Sequence, residues 1–199
     1  MKNQNRIKTF TTTIIGGKHK GRLIEVPAIN TTRSSKSILR ESLFNTLQFD
    51  IMDKNFVEVF AGSGSIGLEA MSRGANALFF IEKNRIAYNM LQSNIKSLNI
   101  TNATALYGDS FEKFTTILAS LKQEQIPTYF YFDPPFSTRD GMDDIYDKTI
   151  ALIEAIDTSI CEMVIVEHMT NLDMPPAIGE LKLEKRKKFG RSSLSYYQV

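Results

Sequence analysis

The chain has 199 residues, 42% of them hydrophobic and 23% charged, which is enough for one full hydrophobic core and a small appendage. No apolar run nears the ~20 residues of a membrane span, and Met1-Lys2-Asn3-Gln4-Asn5-Arg6 lacks the apolar segment of a secretory leader. A single cysteine, Cys161, excludes an internal disulfide, so the expected setting is the reducing cytoplasm. His19 and His168 lie far apart with no ligand-spaced Cys or carboxylate, so no metal site is expected. The net charge of +2 hides an asymmetry: residues 1–40 hold nine Lys or Arg against Glu25, and residues 182–191 hold six against Glu184. Solvated lysines are common on any surface, but two basic ends around an acidic middle suggest a polyanionic partner.

In chain order, β-branched Thr11 to Ile15 and Arg22 to Val26 read as strands joined by the glycine-rich turn Gly16-Gly17-Lys18-His19-Lys20-Gly21. This predicts a β-hairpin with a positive tip. Ile38, Leu39, Leu43, Phe44 and Leu47 recur at helical spacing, so Lys36 to Gln48 is a predicted helix with Arg40 and Glu41 off its apolar stripe. From residue 55 strands and helices alternate. Phe56 to Phe60, Ala77 to Glu82, Ala103 to Tyr107, Tyr129 to Phe132 and Glu162 to His168 are the strands. The helices fall at 68–73, 85–98, about 111–122 and 141–156, with Ile86, Met90, Ile95 and Leu98 as buried candidates in the second. Leu181 to Lys188 and Ser192 to Gln198 form a closing antiparallel hairpin. The fold class is therefore α/β, a doubly wound, mostly parallel sheet. The expected organisation is a basic hairpin-and-helix extension over 1–50 and a catalytic domain over 51–199.

The stretch Tyr129-Phe130-Tyr131-Phe132-Asp133-Pro134-Pro135-Phe136 is a buried strand that stops at an acid, two prolines and another ring. An acid at the carboxyl end of a central strand sits where open α/β sheets bind ligands. The prolines stiffen the turn and remove N–H donors, so nearby carbonyls lack local partners. Asp133 and the Pro134 carbonyl can then accept from an exocyclic amine, while Phe136 stacks on the ring. Gly62-x-Gly64-x-x-Gly67 follows a strand and enters a helix, with Glu82 twenty residues on. NAD and S-adenosylmethionine both fit that pattern. Glu58 (to attract a cationic methionine amine), Asp109 (to accept from an adenine amine) and the turn at 133–136 favour S-adenosylmethionine. The first and fourth strands of the sheet should flank the switch point, bringing Asp133 next to the glycine loop.

Glu58-Val59-Phe60-Ala61-Gly62-Ser63-Gly64, Gly67-Leu68-Glu69-Ala70, Glu82 and Asp133-Pro134-Pro135-Phe136 resemble the class I amino-methyltransferases. Ile14-Ile15-Gly16-Gly17-Lys18-x-Lys20-Gly21-Arg22 and Arg40-Glu41-Ser42-Leu43-Phe44-Asn45 are more narrowly similar to the bacterial small-subunit (16S) rRNA guanine-N2 methyltransferase family, RsmD type. Ser34, Ser35, Ser37 and Ile38 depart from that family's pattern, which has a Pro-Thr and an Asp-Arg pair. The resemblance implies a Rossmann-like fold and methyl transfer from S-adenosylmethionine to guanine N2 of 16S rRNA, releasing S-adenosylhomocysteine. It further implies cofactor binding by Glu58, Phe60, Ala61, Gly62, Ser63, Gly64, Glu82, Asp109 and Ser110, and catalysis at Asp133, Pro134, Pro135 and Phe136. RNA contact falls to Lys18, Lys20, Arg22, Arg40, Lys187, Lys188 and Arg191. The expected partner is small-subunit rRNA, with the assembling 30S particle as a candidate context, and a monomer is expected. Amino methylation of adenine or cytosine in DNA is the alternative, although no separate target-recognition domain is apparent. A non-catalytic RNA-binding factor is a further reading, opposed by the full set of acids.

Overall fold

A computed structural model describes residues 9–27, 33–48, 50–135 and 144–199. Strands β1 (Thr9–Thr13) and β2 (Leu23–Pro27) form an antiparallel two-stranded sheet, followed by helix α1 (Arg33–Leu47). Then come β3 (Asn55–Glu58), α2 (Ser65–Ser72), β4 (Leu78–Glu82), α3 (Arg85–Ser97), β5 (Ala103–Tyr107), α4 (Ser110–Glu124) and β6 (Thr128–Phe132). Helix α5 (Ile145–Glu154), a 3-10 turn at Thr158–Ile160, β7 (Cys161–Met169), β8 (Ala177–Ile178), β9 (Leu181–Phe189) and β10 (Ser192–Gln198) complete the chain. The second sheet has the order β5-β4-β3-β6-β7-β10-β9-β8, parallel from β5 to β7 and antiparallel beyond. The doubly wound α/β sheet with a closing antiparallel hairpin is thus present. The expected helix over 141–156 is described from Ile145, and its start lies outside the described residues together with Asp140 and Asp143.

Strand β6 is buried along its whole length because helices cover both faces of a parallel sheet. Its five residues alternate between two core layers: Tyr129 and Tyr131 pack with Phe44, Phe56 and Phe80, and Phe130 and Phe132 with Phe114, Ile153 and Val166. The first layer also contains Ile14, Ile24, Leu39, Leu43 and Leu47, so residues N-terminal to the expected boundary near residue 50 share one continuous core with the sheet. Two details of helix patterning differ from expectation. Ile38 is 57% exposed and Ile86 44% exposed, while Arg40 is only 4% exposed. The Arg40 guanidinium donates to the Thr13 carbonyl at 2.7 Å and to Thr12 Oγ1 at 3.2 Å. It fastens the end of β1 and belongs to the packing, so it is withdrawn from the RNA-contact candidates.

The hairpin turn lies against the carboxyl ends of two helices. Glu69, fully buried in α2, accepts from Ile15 N (2.7 Å), Gly16 N (2.8 Å) and Arg73 Nε (2.8 Å). Lys18 N donates to the Ser72 carbonyl at 2.7 Å, and Arg22 donates to the Ser97 carbonyl, at the end of α3, at 2.9 Å. Helix carboxyl ends leave carbonyls without intrahelical donors, and cations there oppose the helix dipole favourably. Gly17 permits this approach, since a Cβ at its φ of +75° would lie 1.7 Å from the Ser72 carbonyl oxygen. Replacing Glu69 with Ala should cost on the order of 3 kcal/mol, because three donors lose a buried acceptor. Chemical denaturation checks the loss, and limited proteolysis should show faster cleavage between Gly16 and Gly21.

Candidate active site

Strand β3 pairs with β4 on one side and β6 on the other, so the chain reverses its winding between β3 and β6. Glu58 faces Tyr131 in register, and Val59 N donates to the Tyr131 carbonyl at 2.9 Å. The ends of β3 and β6 therefore open side by side into one crevice, as switch-point geometry requires. The glycine loop rises from β3 and Asp133 from β6.

Three acids line the glycine-loop side. Gly64 precedes α2 and has no side chain with which to cap it, so the exposed amides of the first turn need another acceptor. The buried Glu58 supplies it, with Oε2 accepting from Gly67 N at 2.8 Å. Burial drives the Glu58 carboxyl up to about 8, reinforced by Asp133 and Glu82, against the pull of the Gly67 and Ile66 amides. Glu82 ends β4 and bridges two loops, accepting from Gly62 N and from Asn84 N, each at 2.6 Å. Asp109 caps α4 by accepting from Phe111 N at 2.9 Å, and its other oxygen lies 3.7 Å from Lys83 Nζ. Ser110 is buried, with its hydroxyl donating to the Val59 carbonyl at 2.6 Å. Phe60 is half-buried against Phe111, their rings 5.8 Å apart and edge-on.

This cradle fits an adenosyl cofactor. Gly62 adopts φ +54°, and beyond its chain neighbours no atom lies within 4 Å of where its Cβ would be, so the loop is open to a ligand on that side. Ala61 and Ser63 beside it are buried and form the base of the loop. The acids Glu58, Glu82 and Asp109 around the loop suit a group rich in donors and positive charge.

On the β6 side, Pro134 is buried and Pro135 half-buried behind Asp133; Phe136 lies outside the described residues. Asp133 Oδ2 accepts from Lys36 Nζ, contributed by α1, at 3.0 Å. The same ammonium lies 2.7 Å from Glu167 Oε1 on β7, whose Oε2 accepts from the Tyr131 hydroxyl at 2.7 Å. Burial alone would lower the Lys36 pKa, but Asp133 and Glu167 outweigh it and hold the amine charged. Neither Lys36 nor Glu167 was among the sequence candidates. Glu167 carried a signal, being an acid at the end of the apolar run Met163-Val164-Ile165-Val166.

The basic candidates divide between the two ends of the sheet. Exposed Lys18 and Lys20, with Arg22, sit by the carboxyl ends of α2 and α3, away from the strand ends that carry Glu58 and Asp133. Exposed Lys188 and Arg191 sit at the Asp133 end, where Ser192 pairs with Met169. Lys187 is half-buried, donating to Ser42 Oγ and Thr46 Oγ1 of α1 at 3.2 and 2.7 Å, while Arg186 on the opposite face donates to the Thr170 and Leu172 carbonyls. The pleat thus splits the basic run of β9 between two faces. His168 is buried between the Met169 carbonyl and Ser195 Oγ, and burial pushes the half-buried Cys161 thiol up to about 12. Among the described residues no three His, Cys, Asp or Glu are grouped to hold a metal ion, and no helix is long and apolar enough to cross a membrane.

Residues 12–198 match the family described as conserved hypothetical protein 95. The ribosomal RNA small subunit methyltransferase D of Escherichia coli strain K12 is 32% identical over 200 residues, spanning 100% of this chain and 95% of that one. The solved Escherichia coli protein yhhF is 30% identical with a TM-score of 0.74, covering 95% of this chain and 98% of its own. SMU.776, solved in complex with S-adenosylhomocysteine, shares the fold at 11% identity and a TM-score of 0.68, over 100% of this chain and 58% of that one.

A raised carboxyl pKa favours the folded state most below the unfolded value near 4.5 and loses that advantage as pH climbs through about 8. Glu58→Gln removes this dependence. The variant should therefore gain stability relative to wild type between pH 4.5 and 8.5, with the difference levelling off above that, as measured by denaturation at matched ionic strength.

Proposed function

The chain belongs to the RsmD-type family of methyltransferases, and on that footing we propose that it methylates the exocyclic N2 of a guanine in small-subunit rRNA, using S-adenosylmethionine. The observation that carries this reading is the pairing of β3 with β6, which sets an acid-and-proline corner beside a glycine-loop cradle. When bound, S-adenosylmethionine supplies a methyl group on a positively charged sulfur. Glu82 would accept from the ribose hydroxyls, Asp109 from the adenine amine, and Glu58 would face the cationic methionine portion. The open backbone of Gly62, flanked by Ala61, Ser63 and Gly64, would admit the chain between them.

An aryl amine is a weak nucleophile because its lone pair is delocalised into the ring. Asp133 and the Pro134 carbonyl, accepting hydrogen bonds from that amine, favour a pyramidal nitrogen and stabilise the positive charge that grows on it. No strong base is required before attack, since the proton leaves once nitrogen is cationic. Fixing the amine in line with the donor carries much of the remaining acceleration. The target base must be turned out of its stack to reach the corner, and Phe136 is the proposed stacking partner. Lys188 and Arg191 would hold phosphates at the mouth of the crevice, and Lys18 and Lys20 those of RNA extending to the far end.

Transfer of labelled methyl to naked rRNA, assembled small subunits and free DNA, with mapping of the modified base, tests the substrate. Label on N2 of a small-subunit guanine supports the proposal, and label confined to adenine or cytosine of DNA refutes it. Asp133→Ala should lower turnover at least ~100-fold while cofactor affinity, measured by calorimetry, stays within about threefold. Lys188→Ala with Arg191→Ala should weaken RNA binding and reduce its salt slope by about one unit per lost phosphate contact.

A further inference from the structure

The Lys36 ammonium lies between two carboxylates that differ sharply in environment. Asp133 is partly open, with its side chain 31% exposed, whereas the Glu167 side chain is only 1% exposed. A solvated Lys–Asp pair contributes little to stability, so the contact with Asp133 does not by itself explain why α1 delivers a lysine to this spot. Glu167 does. Its two donors are the Tyr131 hydroxyl, which is neutral, and Lys36, which carries charge.

We infer that Lys36 is a positioning residue for methyl transfer: paired against buried Glu167, it offsets the charge of that carboxylate and so keeps Asp133 ionised as an acceptor for the substrate amine. This inference rests on the reading that Asp133 receives that amine. Among Lys36, Asp133 and Glu167 themselves, two carboxylates and one ammonium sum to a single negative charge, which suits a nitrogen becoming cationic. Without Lys36, two nearby carboxylates would repel and one would take up a proton at neutral pH. A proton on Asp133 would turn one of its acceptors into a donor. Without Glu167, the ammonium 3.0 Å away would neutralise Asp133 and oppose the growing positive charge. Among the described residues, the titratable groups near the cluster are Glu58 from β3, Tyr131 from β6, Tyr146 from α5 and His168, next to Glu167 on β7. Burial holds both tyrosines neutral, Tyr146 being raised to about 12, and lowers His168, so none of these supplies a replacement cation near neutral pH.

The test compares Lys36→Met, Lys36→Arg, Glu167→Gln and the double variant Lys36→Met/Glu167→Gln, each assayed on whichever base the wild type methylates. Lys36→Met should lower kcat roughly 10- to 100-fold at pH 7, with the deficit shrinking as pH rises toward 9 and cofactor KM nearly unchanged. Lys36→Arg should keep most of the activity. Glu167→Gln alone should be impaired, and the double variant should regain most of what Lys36→Met loses, because its net charge again equals that of the wild type. Wild-type kcat in Lys36→Met, or a loss that is equal at every pH and persists in the double variant, overturns the inference. Mapping of the wild-type product decides separately whether that base is a guanine. Thermal unfolding without any substrate gives an independent readout. Lys36→Met should unfold at a lower temperature and the double variant should recover, whereas identical lowered transitions for the two would refute the charge account.

Discussion

The pairing of β3 with β6 is the constraint on which the site depends. Neither strand is long, and neither carries a complete set of functional groups. Hydrogen bonding between them, marked by Val59 N on the Tyr131 carbonyl, fixes where one strand's glycine loop ends relative to the other's acid. Both strands are buried on both faces, so a slip in register would move large aromatic side chains between two filled core layers. Packing that specifies the core thereby specifies the distance between cofactor cradle and acid corner.

Charge in the crevice is handled by burial together with selected backbone donors. Glu58 is held among apolar neighbours but tied to the first turn of α2, and Glu82 spans the glycine loop and the approach to α3. These contacts organise the loops around the crevice. The acids thus shape the cradle. Lys36 enters from a different element and moderates the negative charge on the opposite wall.

Much of this was legible in the sequence. Alternating strands and helices gave the winding, and the apolar run before Asp133 marked a central strand. The glycine spacing, followed by Glu82, located the loop. What could not be read was the long-range use of polar side chains. Lys36 and Glu167 are 131 residues apart, and nothing in a helical stripe distinguishes a lysine aimed at a buried acid from one in water. Arg40 and Ile38 show the same blind spot in opposite directions. Periodicity places Ile38 inward and Arg40 outward, but the open end of β1 supplies a carbonyl that draws the guanidinium in, while Ile38 falls on the flank facing solvent. The basic run in β9 reads as one patch along the chain and becomes two on a pleated strand.

The N-terminal hairpin supplies the missing donors at the ends of α2 and α3, the two helices that follow the glycine loop and Glu82. The stretch from residue 51 onward, expected as a domain of its own, consequently lacks part of its packing when taken alone. A chain trimmed there would leave helix carbonyls bare, Glu69 stripped of its backbone donors and the Phe56 side of the core without Phe44 to cover it. The hairpin is therefore an integral part of the packing and not a detachable appendage. Any replacement would have to reproduce the glycine contact on Ser72 before it could offer a new surface to a nucleic acid.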